Sequence, residues 1–185
     1  MPSCFLSFNI LRGMISLTNN VDVIVVGAGH AGCEAAMVSA KMGKDTLLFT
    51  MDLDRIARMS CNPAIGGPGK SHLVREIDAL GGAMALITDR SKINIRRLNT
   101  SKGMAMRVTR AQVDRVKYSN QMKYFLEGQS NLRLVEGLVQ GILIEDDKVC
   151  GVVTREKTEY RASSVVLATG TFLRGKVYQI GRAHV

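Results

Sequence analysis

Six residues near the start of the chain, Gly27-Ala28-Gly29-His30-Ala31-Gly32, constrain the fold more than any others. They match G-x-G-x-x-G, and their setting makes the pattern specific. Before them, Val21–Val26 (VDVIVV) is almost wholly apolar, as a central parallel strand is. After them, Cys33–Lys41 (CEAAMVSAK) reads as a helix of small residues, stopped by Gly43. Asp45–Thr50 (DTLLFT) then reads as a second buried strand, completing a β-α-β unit with a short return. In such a unit Gly27 permits the tight turn, Gly29 lets backbone approach a pyrophosphate, and Gly32 lets helix and strand pack closely. The helix N-terminus offers unpaired N–H groups and the positive end of its dipole to the phosphates. Gly27, Ala28, Gly29, His30, Ala31 and Gly32 are therefore the expected dinucleotide-binding residues, His30 through its backbone. Asp52 stands at the right distance to meet a ribose but falls beyond the strand end, where a solvated turn aspartate fits equally well.

Downstream, Cys61–Gly69 (CNPAIGGPG) is a glycine-rich loop, and Lys70–Leu80 puts Leu73, Ile77 and Leu80 on one helical face before the Gly81-Gly82 stop. From Arg90 to Lys123 the charge is positive apart from Asp114, and the spacing predicts a helix over Ala111–Leu126. Leu132–Val135, Val139–Ile144 and Val149–Thr154 alternate apolar and polar residues around Asp146-Asp147 and predict a small meander. Ser164–Ala168 (SVVLA) reads as a return to the parallel sheet, leading into Thr169-Gly170. An apolar strand ending in A-T-G recurs in flavoproteins with two dinucleotide domains, where this backbone passes near FAD. Together with the β-α-β unit and the intervening meander, it favours FAD over NAD. The expected contacts are then Thr169 and Gly170, with Val139 placed as in families whose backbone there meets the adenine, although taken alone it reads as core. The fold class is α/β: an FAD/NAD(P)-binding Rossmann-like three-layer domain of the glutathione-reductase type, truncated before its sheet closes, with inserted loops and a small β-meander.

A length of 185 residues holds one such domain, and 46% hydrophobic residues can build its core. No apolar run reaches the roughly 18–20 residues of a membrane span, so the chain reads as soluble. The excess of 25 Lys+Arg over 16 Asp+Glu, a net of +9, suits a polyanionic partner, and equally a merely basic surface. Cys4, Cys33, Cys61 and Cys150 form no C-x-x-C pair and have no His cluster beside them, so no metal site is expected and a reducing compartment fits best. Residues 1–20 read as a disordered or spurious extension with Met14 as the true start, 21–179 as the FAD-binding domain, and 180–185 (IGRAHV) as an artefactual tail resembling a translated sequencing adapter. The protein is expected to continue beyond about Gly181.

Met59–Gly67 (MSCNPAIGG), the following GKSHLVREIDALGG, and the later LNTSKG and TRAQVDR resemble the MnmG family, also called GidA. The resemblance runs from about Asp22 to Gly175. It implies an enzyme dependent on FAD and NADH that acts on tRNA with a partner GTPase, MnmE. Such an enzyme installs aminomethyl or carboxymethylaminomethyl groups at C5 of the wobble uridine. Methylene-tetrahydrofolate supplies the one-carbon unit, and glycine or ammonium the nitrogen. It also implies a homodimer, and a heterotetramer with the GTPase, in the cytoplasm or, in a eukaryote, the mitochondrion. Cys61 matches the family's catalytic cysteine. Pyrimidine C5 becomes nucleophilic when a thiolate adds at C6, which gives an accessible cysteine a purpose. By composition alone Cys61 would read as a buried structural cysteine. Arg96, Arg97, Lys102, Arg107 and Arg110, with Arg115 and Lys117 nearby, are the expected contacts to tRNA phosphates, with a solvated basic face as the plainer reading. Met104-Ala105-Met106 stands where the family has Pro-Ala-Val. The family's second catalytic cysteine, NADH region and C-terminal helical domain would all lie beyond Val185, so the chain alone is expected to be inactive. Rival readings are another FAD oxidoreductase of the fumarate-reductase kind, a folate-dependent tRNA methyltransferase, or an inert nucleotide-binding fragment. SCNPAIGG argues against the first two.

Overall fold

The computed structural model describes residues 20–171 and Leu173; the expectations for Cys4, the N-terminal extension and the C-terminal tail lie outside those residues. Strand β1 (Asn20–Val26) occupies the centre of a six-stranded sheet. It pairs in parallel with β2 (Thr46–Thr50) on one side and with β9 (Glu159–Leu167) on the other. Beyond β2 lies β6 (Leu132–Glu136), also parallel; beyond β9 lie β8 (Lys148–Thr154) and β7 (Val139–Glu145), both antiparallel. The meander is therefore β7–β8 and the start of β9, and Leu132–Glu136 belongs to the parallel sheet instead. Its alternation comes from its place at the sheet edge, where Leu132 is buried and Arg133 reaches solvent to pair with Asp45 at 3.1 Å.

Alternation along β1 and β2 assigns side chains to two faces. Val25 and Leu48 face helix α1 (His30–Lys41), which buries Gly32, Cys33, Ala36, Met37 and Ala40 along one stripe. Ile24, Val26, Leu47 and Phe49 face the other way, onto Val152, Ala162 and the partly buried Val139 and Tyr160. Phe49 and Tyr160 meet edge to face at 4.9 Å. Helices, parallel sheet and meander thus form the three layers expected.

A separate three-stranded antiparallel sheet, order β3-β5-β4, joins β3 (Ala64–Gly66), β4 (Lys92–Leu98) and β5 (Val108–Val113). Ala111–Val113 is therefore strand, contrary to the helix predicted from Ala111. Ala111 and Val113 are buried there, and the next helix starts only where Asp114 accepts hydrogen bonds from the N–H groups of Val116 and Lys117, each at 2.9 Å. Between the loop and β4 run α2 (Lys70–Ala79) and α3 (Met84–Ser91); the helix after Asp114 is α4 (Arg115–Glu127), which buries Tyr118, Met122 and Leu126 one turn apart. Of the apolar row predicted over Lys70–Leu80, Leu73 is 58% exposed and Leu80, just past the end of α2, 85% exposed, while Ile77 is half-buried.

Candidate dinucleotide site and thiol loop

The turn between β1 and α1 separates two uses of glycine. Gly27 sits at φ +104, and a Cβ there would lie 2.4 Å from the Ala168 carbonyl oxygen. A Cβ on Gly32 would lie 1.8 Å from the Gly27 oxygen. Both glycines are required by close backbone packing. Gly29 is different: its φ of −73 and ψ of −175 suit any residue, and nothing lies within 4 Å of its notional Cβ. Neither torsion nor packing explains glycine there, whereas a ligand approaching the open space before α1 does. That helix has no side-chain cap and no acid in its first turn, so its leading N–H groups and positive dipole end are available to an anion. A pyrophosphate fits this cradle.

Around it, Ala28 is buried and its carbonyl accepts from the Ala57 N–H at 2.8 Å, while Ala31 is exposed beside Gly29. His30 turns its ring inward, edge-on to Tyr118 at 5.8 Å. Burial lowers the imidazole pKa against the opposing pull of Glu34, favouring the neutral ring. His30 Nδ1 and the Tyr118 hydroxyl are both buried with no hydrogen-bond partner. Glu34, which motif reading missed, accepts from the N–H groups of Ala83 at 3.0 Å and Met84 at 2.6 Å, capping α3 from a distant helix. Only the tertiary approach of α1 and α3 reveals that role.

The end of β9 closes over the same turn. Ala168 N–H donates to the Val26 carbonyl at 2.8 Å, and Gly170 takes φ +60 just beyond Thr169. The structure thus brings Gly27–Gly32 and Ala168–Gly170 together at the C-terminal edge of the parallel strands, where ligands of open α/β sheets gather. Val139 is half-buried at the first position of β7, opposite Thr154. Its side chain packs against the core, and the cleft of about 390 Å³ past the end of β2 is lined by Met51, Glu136, Gly137, Leu138, Arg155 and Glu156, without Val139. Asp52 is held within its own turn, accepting from Asp54 N–H at 2.9 Å and pairing with Arg55 at 2.8 Å.

Cys61 stands exposed at the head of the second glycine-rich loop. Its carbonyl accepts from the Arg115 guanidinium at 2.7 Å, and the Val113 N–H donates to the Pro63 carbonyl at 2.8 Å, so the loop is tied to β5 and α4. Gly66, at φ +97, packs where a Cβ would lie 2.2 Å from the Thr109 oxygen. Cys33, by contrast, is buried, and burial with the nearby Glu34 carboxylate pushes its thiol up to about 12. Next to Cys61 opens a cleft of about 400 Å³ lined by Asn62, Pro63, Ala64, Asn94, Arg96, Leu98, Arg110 and Gln112. Arg96 and Arg110 are directly opposed across β4 and β5, whereas Arg97, one residue along, belongs to the other face of that sheet. Lys102 and Arg107 lie together in the exposed loop, where Arg107 Nε donates to the Lys102 carbonyl at 3.1 Å. Met104–Met106 forms a single 3₁₀ turn in that loop. Among the described residues no group of His, Cys, Asp and Glu could hold a metal, and no helix is long and apolar enough to cross a membrane.

A glycine turn on a parallel sheet, backed by an antiparallel meander, defines a dinucleotide-binding α/β domain. The same fold is shared with a probable FAD-dependent monooxygenase from Pseudomonas aeruginosa, 16% identical with a TM-score of 0.61 over 83% of this chain and 43% of that one. More narrowly, the chain belongs to the family described as glucose inhibited division protein A, whose profile matches residues 22–184. It is 57% identical over 157 residues to the tRNA uridine 5-carboxymethylaminomethyl modification enzyme MnmG of Alkaliphilus metalliredigens, covering 85% of this chain and 25% of that protein. To the enzyme of the same name from Protochlamydia amoebophila it is 54% identical, with the same coverage. GidA of Aquifex aeolicus superposes with a TM-score of 0.82 at 46% identity, over 84% of this chain and 26% of that structure. The chain therefore spans about a quarter of the length of these relatives.

Proposed function

We propose that the chain is the FAD-binding, N-terminal part of a tRNA-modifying flavoenzyme that works on C5 of the wobble uridine. The observation that carries this reading is Cys61: an exposed thiol in a loop tied down on both sides, within a family match over residues 22–184. The N–H groups that open α1 hold the FAD pyrophosphate, with Gly29 leaving room for it. The Val139 backbone would meet the adenine, and Thr169 and Gly170 would border the rest of the cofactor. Bound FAD supplies electron transfer, with NADH as reductant. Cys61 adds as thiolate to C6 of the uracil, and the C5–C6 electron pair moves to make C5 nucleophilic. C5 then attacks the methylene iminium carbon of methylene-tetrahydrofolate, whose C=N electron pair moves onto the folate nitrogen. Loss of the C5 proton with departure of tetrahydrofolate leaves a methylene group on C5. The amine of glycine or ammonia adds to it, and expulsion of the thiolate restores the ring. Arg96, Arg97, Lys102, Arg107 and Arg110 present positive charge to tRNA phosphates. A GTPase of the MnmE type, a homodimer and a heterotetramer with that GTPase, and a cytoplasmic location complete the reading.

Cys61→Ser tests it. The side chain is exposed and near-isosteric, so the variant should fold and keep FAD. A hydroxyl is far less acidic and less nucleophilic than a thiol, so wobble-uridine modification should be lost. The full-length variant is expressed in cells lacking the native enzyme, and tRNA nucleosides are read by mass spectrometry. Wild-type levels of modified uridine would overturn the catalytic role.

A further inference from the structure

We propose that the cleft beside Cys61 is an oxyanion site in which Arg96 and Arg110 together clamp one phosphate or carboxylate group. The pairing of β4 with β5 sets these two residues directly opposite each other, and both line the cleft. Directly opposed residues on one sheet face hold their Cβ atoms about 4.5–5.5 Å apart, and like charges so placed destabilise the sheet. No carboxylate lines the cleft, and among the described residues neither guanidinium has an ion-pair partner. An anion between them would relieve the repulsion, and planar guanidinium groups suit bidentate binding of an oxyanion. The remaining polar lining is Asn62, Asn94 and Gln112, whose carboxamide N–H groups add neutral donors. Arg97, Lys102 and Arg107 share none of this enclosure. The clamp follows from the cleft alone and does not depend on the tRNA reading; the oxyanion can come from an RNA phosphodiester or from a free small molecule.

The test follows the Nε–Hε resonances of the arginines in the ¹⁵N-labelled full chain by NMR, titrated with inorganic phosphate or acetate at constant ionic strength set by chloride. The signals of Arg96 and Arg110 should move together and saturate with at least one of the two anions, while those of Arg97 and Arg107 stay in place. Arg110→Lys keeps the charge but removes the fork and should weaken binding at least tenfold, as should Arg96→Gln; unchanged backbone amide spectra show that each variant folds. An RNA hairpin added afterwards identifies the source. Displacement of the small anion makes the site an RNA phosphate clamp, and retention makes it a small-molecule site. Absence of saturation with both anions, equal shifts at Arg97 and Arg107, or undiminished binding in both variants overturns the proposal.

Discussion

Gly29 and Gly32, three residues apart, lack side chains for opposite reasons, and substitution separates them. At Gly29 the backbone is ordinary and the Cβ direction open, so Gly29→Val should fold with unchanged stability yet lose FAD, because its methyls fill the space needed by the pyrophosphate. Absorbance at about 450 nm in the purified full-length protein reads the outcome; a folded variant with stoichiometric flavin would refute the assignment. At Gly32 the nearest atom to an added Cβ is backbone, 1.8 Å away, so Gly32→Ala forces helix and turn apart. It should cost about 1–3 kcal/mol, measured as a lower denaturant midpoint. The thiols divide in the same manner. Near neutral pH iodoacetamide should modify the exposed Cys61 while Cys33, buried with its thiol pushed up to about 12, stays unmodified in the native protein. Peptide mass spectrometry distinguishes them, and equal labelling of both would contradict the burial. The glycine pattern is legible in the sequence because each requirement of the turn acts within a few residues. The exposure of Cys61 is legible from its loop, since Asn62, Pro63, Gly66 and Gly67 describe accessible backbone, although composition alone describes an ordinary buried cysteine.

At the scale of elements, the boundary between β5 and α4 shows where periodicity stops deciding. Ala111-Gln112-Val113 fits a helical stripe as well as a strand, and only pairing with β3 and β4 settles it as strand. Asp114 then starts the helix by accepting two backbone N–H bonds. Asp114→Ala should lower stability by about 1 kcal/mol, and Asp114→Asn should restore most of it, since both Asp and Asn cap well. Urea unfolding of the three proteins checks this; equal midpoints for alanine and wild type would show that the cap contributes nothing. Two other elements differ for related reasons. Leu132–Glu136 alternates like a meander strand because the edge of a parallel sheet also has a wet side. Over Lys70–Leu80 the spacing groups Leu73 and Leu80 on one face, but grouping does not say which face meets the core, and here Ser71 is the buried residue.

Across the whole molecule, the charge of +9 is distributed by register as much as by composition. Neutralising Arg96, Arg97 and Arg110 together should weaken tRNA binding by the full-length protein and flatten its dependence on salt, by about one unit or less of log–log slope for each phosphate no longer neutralised. Filter binding across a salt series measures it, and an unchanged slope would leave these residues as a solvated basic face. The sequence by itself determined the β-α-β unit, the glycine turn, the return of Ser164–Ala168 to the parallel sheet and the family resemblance. Each depends on torsional freedom, on apolar runs or on motifs carried by neighbouring residues. The tertiary structure alone decided that Arg96 faces Arg110 while Arg97 turns away, that Leu132–Glu136 joins the parallel sheet, that Glu34 caps a helix 49 residues on, that β9 lies beside β1, and that Arg115 ties down the Cys61 carbonyl. These contacts join residues far apart in the chain, and their geometry depends on strand register and helix placement, which satisfy the packing and hydrogen bonding of the whole sheet at once.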